Sequence, residues 1–330
     1  MWREIKKIIH LHHHFVITTH VNPDGDGIGS ACALTELLLQ MDKKVRFVCD
    51  SPIPSKFAFL DFHGIHEVYH PQTDYSQTQV LIVLDTHRKE RIGRLANLAE
   101  RPGVITLCID HHPANATFTS INAIDVKACS VGAMVYTLYK ECGFELNIEA
   151  ATGIYASVLC DTGRFSYSST NRKSHKIADE CIKLGVDPDR MYTNLFQHVP
   201  LAQVKMFARA LERMEAHLDN RVIIEQISRE DYPHENNEAI DLENLDLDYI
   251  HEFNKLIENV DCVVLLRELP GNHVRVSMRS MSDLDISQIM KALGGGGHSK
   301  AAGVTWTGSV TEVKEKILEL LKDALHVSHA

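Results

Sequence analysis

This chain of 330 residues has no Cys-x-x-Cys pair and no excess of basic charge. It also has no uninterrupted apolar run near the ~20 residues that a membrane span requires. Its eight cysteines are scattered singly, and Cys49, Cys108 and Cys160 lie within apolar runs. That argues against a disulfide framework and for reduced, buried thiols in a cytoplasmic protein. Met1 to His10 reads as an amphipathic helix, not a signal peptide. Lys and Arg number 34 against 44 Asp and Glu, a formal net charge of −10. A protein that coats long nucleic acid draws on a basic surface, so that class is disfavoured, while a small phosphorylated substrate is not. Repeats and low-complexity linkers are missing, and so is Gly-x-Gly-x-x-Gly. Gly25-x-Gly27-x-Gly29 departs from that pattern, and Asp24 and Asp26 would repel a pyrophosphate, which excludes a dinucleotide-binding oxidoreductase.

What is present is an alternation of strands and helices through the first half. Phe15–Ile17, Val45–Cys49, Val80–Leu84 and Val104–Ile109 are strand candidates, and Val80–Leu84 is apolar at every position, as strands buried on both faces are. Helical patterns run over Ile28–Met41, Arg91–Glu100, Ser130–Glu141 and Ile148–Leu159. This rhythm predicts a doubly wound parallel sheet in an N-terminal domain over 1–190. Asn171–Leu184 and Leu201–Ala216 read as long helices, with 191–216 as a helical connector. From 217 a smaller α+β domain runs to residue 330, with strands Val222–Ile227, Val260–Glu268, His273–Met278 and one near Gly303–Trp306. Its helices are Ile286–Leu293 and a last one from Val310.

The acidic and imidazole groups fall at strand ends. His20-Val21-Asn22-Pro23-Asp24-Gly25-Asp26-Gly27 follows the first strand, Asp85 the third, and Asp110-His111-His112 the fourth, while Asp161 ends a helix. In a parallel sheet the carboxyl ends share one edge. Alternation along a compact Pro-Gly turn sends Asp24 and Asp26 the same way. Each signal alone has a bland counterpart: a solvated Pro-Asp-Gly turn, a helix-capping Asp, a solvated His pair. Together, four carboxylates (Asp24, Asp26, Asp85, Asp161) and two imidazoles (His20, His111) suffice for two metal shells. An oxygen-rich set with one nitrogen each and no thiolate favours Mn²⁺ or Mg²⁺ over structural zinc. Two such ions about 3.5–4 Å apart suit in-line displacement at phosphorus.

These residues resemble the four motifs of the DHH phosphoesterase superfamily. Gly294-Gly295-Gly296-Gly297-His298-Ser299-Lys300-Ala301-Ala302-Gly303 resembles the signature of its DHHA1 C-terminal domain. The compact two-domain chain is most similar to the nanoRNase/pAp-phosphatase branch. The resemblance implies that His20 and Asp24 hold one metal and Asp26, His111 and Asp161 the other, with Asp85 bridging. Asp110 would orient the site without touching metal, and His112 would contact the scissile phosphate. Arg279, Gly296, Gly297 and His298 would hold a nucleotide end, with Lys300 and Arg275 adding charge nearby. It further implies two divalent ions, Mn²⁺ foremost with Mg²⁺ or Co²⁺ as substitutes, and attack by a hydroxide between them. The expected substrates are very short RNAs, cut to mononucleotides, and pAp, dephosphorylated to AMP. No long nucleic acid and no membrane partner is expected, and a homodimer is compatible with the family. Two further readings share the scaffold: a soluble cyclic di-AMP or pApA phosphodiesterase, and a nucleotide-binding regulator without activity. The second would be signalled by a missing ligand, and none is missing. Arg88, Lys89, Arg91 and Arg94 follow Asp85 either as phosphate guides or as a solvated helix start. His10, His12, His13 and His14 read as mostly solvated side chains.

Overall fold

A computed structural model describes residues 1–232 and 248–327. The chain divides into two compact units, Met1–His198 and Val199–Ala330. In the first, α1 (Trp2–Leu11), β1 (His14–Thr18), α2 (Gly25–Gln40), β2 (Lys44–Cys49), β3 (His66–Val68) and β4 (Val80–Leu84) are followed by α3 (Ala96–Ala99), β5 (Ile105–Asp110) and β6 (Ile121–Ile124). Four helices complete the unit: α4 (Val131–Cys142), α5 (Ile148–Asp161), α6 (Arg172–Lys183) and α7 (Pro188–Phe196). The six strands form one sheet in the order β3-β2-β1-β4-β5-β6, parallel at every pairing. The chain therefore reverses its winding between β1 and β4, and the carboxyl ends flanking such a switch point open a crevice for ligand.

Apolar side chains cover both faces of this sheet. Phe15, Ile17, Ile82, Leu84, Leu107 and Ile109 pack with α2, α4 and α5 on one side. Val16, Val48, Leu81 and Val83 pack with Ile92, Leu95 and Leu98 on the other. Helices α2 and α5 cross with their backbones in contact. A Cβ on Gly29 would lie 2.4 Å from the Gly153 carbonyl, and one on Gly153 would lie 2.5 Å from the Gly29 carbonyl. Only glycine at both positions allows this approach.

Two local expectations are corrected. The Pro-Gly stretch is no loop through residue 27. Asp24 is the N-cap of α2, its Oδ1 accepting from the N–H groups of Asp26 (3.0 Å) and Gly27 (3.1 Å), so Asp24 and Asp26 are related by the first helical turn, not by alternation. The helix expected over Arg91–Glu100 is a run of 3₁₀ turns from Lys89 to Leu95, broken at Gly93, then the single turn of α3. The cause is Asp50, whose Oδ1 accepts the Arg94 backbone N–H and pairs with the Arg94 Nε.

The second unit contains α8 (Leu201–Glu212), β7 (Glu215–His217), β8 (Val222–Ile227), α9 (Asp248–Asn254), β9 (Cys262–Leu269) and β10 (His273–Ser280). It continues with α10 (Ile286–Ala292), β11 (Gly296–Gly297), β12 (Ala301–Thr307) and α11 (Val310–Val327). Its sheet runs β11-β12-β10-β9-β8-β7, antiparallel except between β8 and β9. Val264, Leu266, Val274, Val276 and Met278 pack with α10 and α11. Leu265 and Ile227 face α8 through Met206, Phe207 and Ala210.

The stretch expected as a connector divides between the units. Met191 and Leu195 of α7 join the first core, and α8 joins the second. Its second helix ends at Glu212, and Ala216 lies in β7. All eight cysteines are free. Among the described residues no helix is long and apolar enough to cross a membrane.

Candidate metal centre

The switch-point crevice gathers side chains from four segments. His20 follows β1, with its ring almost buried. Its Nδ1 lies 2.9 Å from the Val21 carbonyl. A carbonyl only accepts, so Nδ1 carries the proton and Nε2 turns inward, 3.6 Å from Asp24 Oδ2 and 3.4 Å from Asp85 Oδ2. His111, after β5, repeats the device. Its Nδ1–H donates to the Ala128 carbonyl (3.2 Å). Its Nε2 faces Asp26 Oδ2 (3.6 Å), Asp85 Oδ1 (3.7 Å) and Asp161 Oδ2 (3.4 Å). An imidazole whose outer N–H is tied to a carbonyl and whose inner nitrogen meets carboxylates is oriented so that it could hold a metal ion.

Asp85 stands between these groups, one oxygen toward each imidazole. It adopts a left-handed backbone, φ 59°, at the carboxyl end of β4, where its N–H donates to the Ile109 carbonyl. Asp tolerates that conformation better than most residues, and strain of this kind concentrates at functional sites. Its Oδ1 is buried and has no hydrogen-bond donor among the described residues. A buried carboxylate oxygen left without a donor is costly, and a cation between Asp85 and His111 removes the cost.

Asp26 is 1% exposed and has many donors. Val131 N–H reaches both of its oxygens (3.0 and 2.9 Å), while Ser30 Oγ (3.1 Å) and Ser157 Oγ (2.5 Å) reach Oδ1. Val131 opens α4, so the positive end of that helix faces the carboxylate. Asp161, the last residue of α5, lies one turn beyond Ser157. The Gly29–Gly153 crossing brings both to Asp26. After Asp161 the chain makes a left-handed turn, with φ values of 54°, 59° and 63° at Gly163, Arg164 and Phe165. The turn is held by Thr162, whose Oγ1 accepts from Phe165 N–H (3.1 Å).

The electrostatics are those of an acidic cluster closed on itself. Burial and the neighbouring Asp26 push the Asp85 carboxyl up to about 8. Burial with Asp26 and Asp85 pushes Asp161 up to about 9. Burial also raises Asp26, against the pull of His111. For His20, burial favours the neutral ring, but Asp24 and Asp85 outweigh it and raise the group to about 10. Protons do here what a divalent ion does better. Among the described residues, three groups could hold an ion: His20, Asp24 and Asp85; Asp26, His111 and Asp161; and Asp85, His111 and His112. Within each, the donor atoms lie within 4.8 Å of one another. The donor chemistry fits divalent cations that prefer oxygen with some imidazole.

His112 is 54% exposed, at the open side. Its backbone N–H (3.1 Å) and Nδ1–H (2.8 Å) both donate to Asp110 Oδ1. The Asp110 hydrogen bond raises the ring above its ordinary value, with burial opposing. Against burial, the bonds from His112 and His87 hold Asp110 down at about 2. Sequence reasoning missed His87, Ser30, Ser157 and the α4 N-terminus. The signals were slight: His87 stands two residues past Asp85, and Ser157 one helical turn before Asp161. Of the basic residues after Asp85, Lys89 pairs with Glu100 and Arg94 with Asp50, which marks those two as surface ties.

In the second unit, Arg279 lies in β10 opposite Ala301 of β12, and Gly296–Gly297 pair with Gly303 and Ala302 of the same strand. His298 closes the turn, its N–H donating to the Ala301 carbonyl (2.8 Å). The expected substrate-binding residues thus come together at one end of this sheet. Gly297 (φ 144°) is demanded by the hairpin, since a Cβ there would lie 2.4 Å from Ala302 Cα, whereas Gly296 faces open space. Lys300 reaches back to the Ser282 carbonyl and Asp283, and Arg275 donates to Thr305 Oγ1 (3.1 Å).

Residues 14–165 match the DHH family, N-terminal domain, and residues 220–327 match the DHHA1 domain. Over 94% of its length the chain is 28% identical to the bifunctional oligoribonuclease and PAP phosphatase NrnA of Thermus thermophilus, covering 89% of that protein. The protein of the same name from Bacillus subtilis is 34% identical over 60% of this chain and 61% of its own. An exopolyphosphatase-related protein from Bacteroides fragilis superposes with a TM-score of 0.86 at 25% identity, over 98% of this chain and 97% of that one. With both domains matched in order along the sequence, the chain is a member of the DHH/DHHA1 superfamily of phosphoesterases.

Proposed function

We propose that the protein is a Mn²⁺-dependent phosphohydrolase that cuts very short oligoribonucleotides to mononucleotides and converts pAp to AMP. The observation that carries this reading is Asp85: one oxygen faces each imidazole cluster, and the oxygen toward His111 has no donor among the described residues. Its relatives' names supply the substrate classes. When bound, a pair of divalent ions would neutralise phosphoryl charge and acidify a water.

The chain's own residues do the rest. His20, Asp24 and Asp85 would hold one ion, Asp85, Asp26, His111 and Asp161 the other. His112 would donate from its ring to a phosphoryl oxygen, its orientation set by Asp110. Arg279 and the Gly296–His298 hairpin would grip a nucleotide phosphate through guanidinium and backbone N–H groups. The net charge of −10 weighs against long RNA.

The test is turnover by the full chain of a labelled RNA dinucleotide, pAp, a long single-stranded RNA and cyclic di-AMP. Mn²⁺, Mg²⁺ or EDTA would be present in turn, with Asp85→Ala as control. Mononucleotide and AMP release that needs Mn²⁺ and disappears in the variant supports the reading. Hydrolysis of cyclic di-AMP alone, or no turnover at all, overturns it.

A further inference from the structure

The Asp110 carboxylate is 0% exposed and is shared between two imidazoles. Its Oδ1 takes both N–H groups of His112, as described above. Its Oδ2 lies 2.7 Å from the Nδ1 of His87, whose side chain is itself only 10% exposed. An ionised carboxylate only accepts, so His87 and His112 must both carry their proton on Nδ1. His87 belongs to none of the three ion-holding groups. His112 is half-exposed, and besides Asp110 its ring meets the edge of His111, with centroids 4.6 Å apart, while its Nδ1 lies a longer 3.5 Å from Asp85 Oδ1.

We propose that His87 is a positioning residue: it clamps Asp110, and Asp110 aims His112 at the phosphoryl group. The role assigned to His112 rests on the phosphohydrolase reading; the clamp itself does not. Without His87, Oδ2 loses its donor at a site closed to water. The carboxylate is then held at Oδ1 alone, by the two N–H groups of His112, and can pivot about that end, which loosens both the tautomer and the direction of the His112 ring. A purely structural role for His87, filling space beside a buried carboxylate, would affect folding but not one ring selectively.

Two variants test this in the full chain. His87→Ala removes the donor, and His87→Asn replaces it, because an asparagine Nδ2–H can stand where the histidine Nδ1–H stood. For Ala the expected result is a fall in kcat of about 10–100-fold on the RNA dinucleotide, with KM and Mn²⁺ affinity little changed. Asn should recover most of the loss. In a His112→Ala background, His87→Ala should cost almost nothing more, because the two act as one unit. An unchanged kcat, an equal loss in the His112→Ala background, or a folded Asn variant as poor as Ala would each overturn the proposal. Ring ¹⁵N shifts of His112 in the metal-free chain, read at a pH high enough for the ring to be neutral, decide the matter whether or not any substrate turns over. His87→Ala should lose the Nδ1–H tautomer excess and Asn should keep it. An unaltered tautomer in His87→Ala would refute the clamp.

Discussion

Ser157 donates its hydroxyl proton to Asp26 Oδ1 across 2.5 Å, joining the middle of α5 to the first turn of α2. The same hydroxyl accepts the Gly132 N–H (2.9 Å), so it ties three helices around one carboxylate. Ser157→Ala should therefore remove the shortest of the bonds that aim Asp26 Oδ1 and leave it to Val131 N–H and Ser30 Oγ. We expect Mn²⁺ affinity at the Asp26, His111 and Asp161 group to weaken by about 10–100-fold, with the His20 group less affected. Calorimetric titration of the metal-free chain would resolve this as weakening of one class of sites.

Helix-interior glycine to alanine normally gains up to about 1 kcal/mol. At Gly29 and Gly153 the sign should invert, because each added Cβ meets the partner's carbonyl at 2.4–2.5 Å. Either substitution should destabilise the chain by about 1–3 kcal/mol and displace Ser157 and Asp161 from Asp26. Denaturant unfolding of Gly29→Ala checks the first effect, and metal titration the second. A stabilised variant would contradict the backbone contact.

The acidic cluster predicts an unusual pH dependence. Asp85, Asp161 and His20 are raised to about 8, about 9 and about 10. A raised group contributes stability at low pH that is lost as pH rises through its folded value. The metal-free chain should accordingly lose Tm between about pH 5 and about pH 9. Saturating Mn²⁺ should flatten that slope and release protons on binding. Thermal scans across this range, with and without metal, and calorimetry in buffers of different ionisation enthalpy measure both effects. A slope that metal leaves unchanged would speak against ion binding at these carboxylates.

The second unit offers a separate case in Glu225, fully buried in β8. Burial raises its carboxyl to about 7, against the Asn254 Nδ2–H it accepts at 2.9 Å. The stability it lends is again lost as pH rises, here through about 7. Glu225→Gln should raise Tm by several degrees at pH 8 and leave it nearly unchanged at pH 5. No difference between the two pH values would contradict the raised carboxyl.

The sequence made the sheet legible where strands are long and apolar, as at Val80–Leu84. The short edge strands β3 and β6 escaped, since three or four residues with half-polar faces carry little periodicity. Most residues of the candidate metal centre were readable because they lie just past the strands β1, β4 and β5, and parallel strand ends share an edge whatever the loops do, whereas Asp161 closes the helix α5. Geometry set by other elements was not readable. Asp24 proved a helix cap because its carboxylate reaches the N–H groups of α2, not because of its alternation with Asp26. Ser157 became visible only once the Gly29–Gly153 crossing placed α5 against α2, and His87 only once β4 and β5 lay side by side. In the glycine run, Gly297 answers to the hairpin's packing, a distinction that composition does not carry.

As proposed above, Asp85 would join two ions into one site. Frozen-solution electron paramagnetic resonance of the full chain titrated with Mn²⁺ tests it most directly. Two ions per chain are expected, with the multiline spectrum of a spin-coupled pair that collapses to isolated ions in Asp85→Ala. A single uncoupled ion per chain in the unsubstituted protein would contradict it.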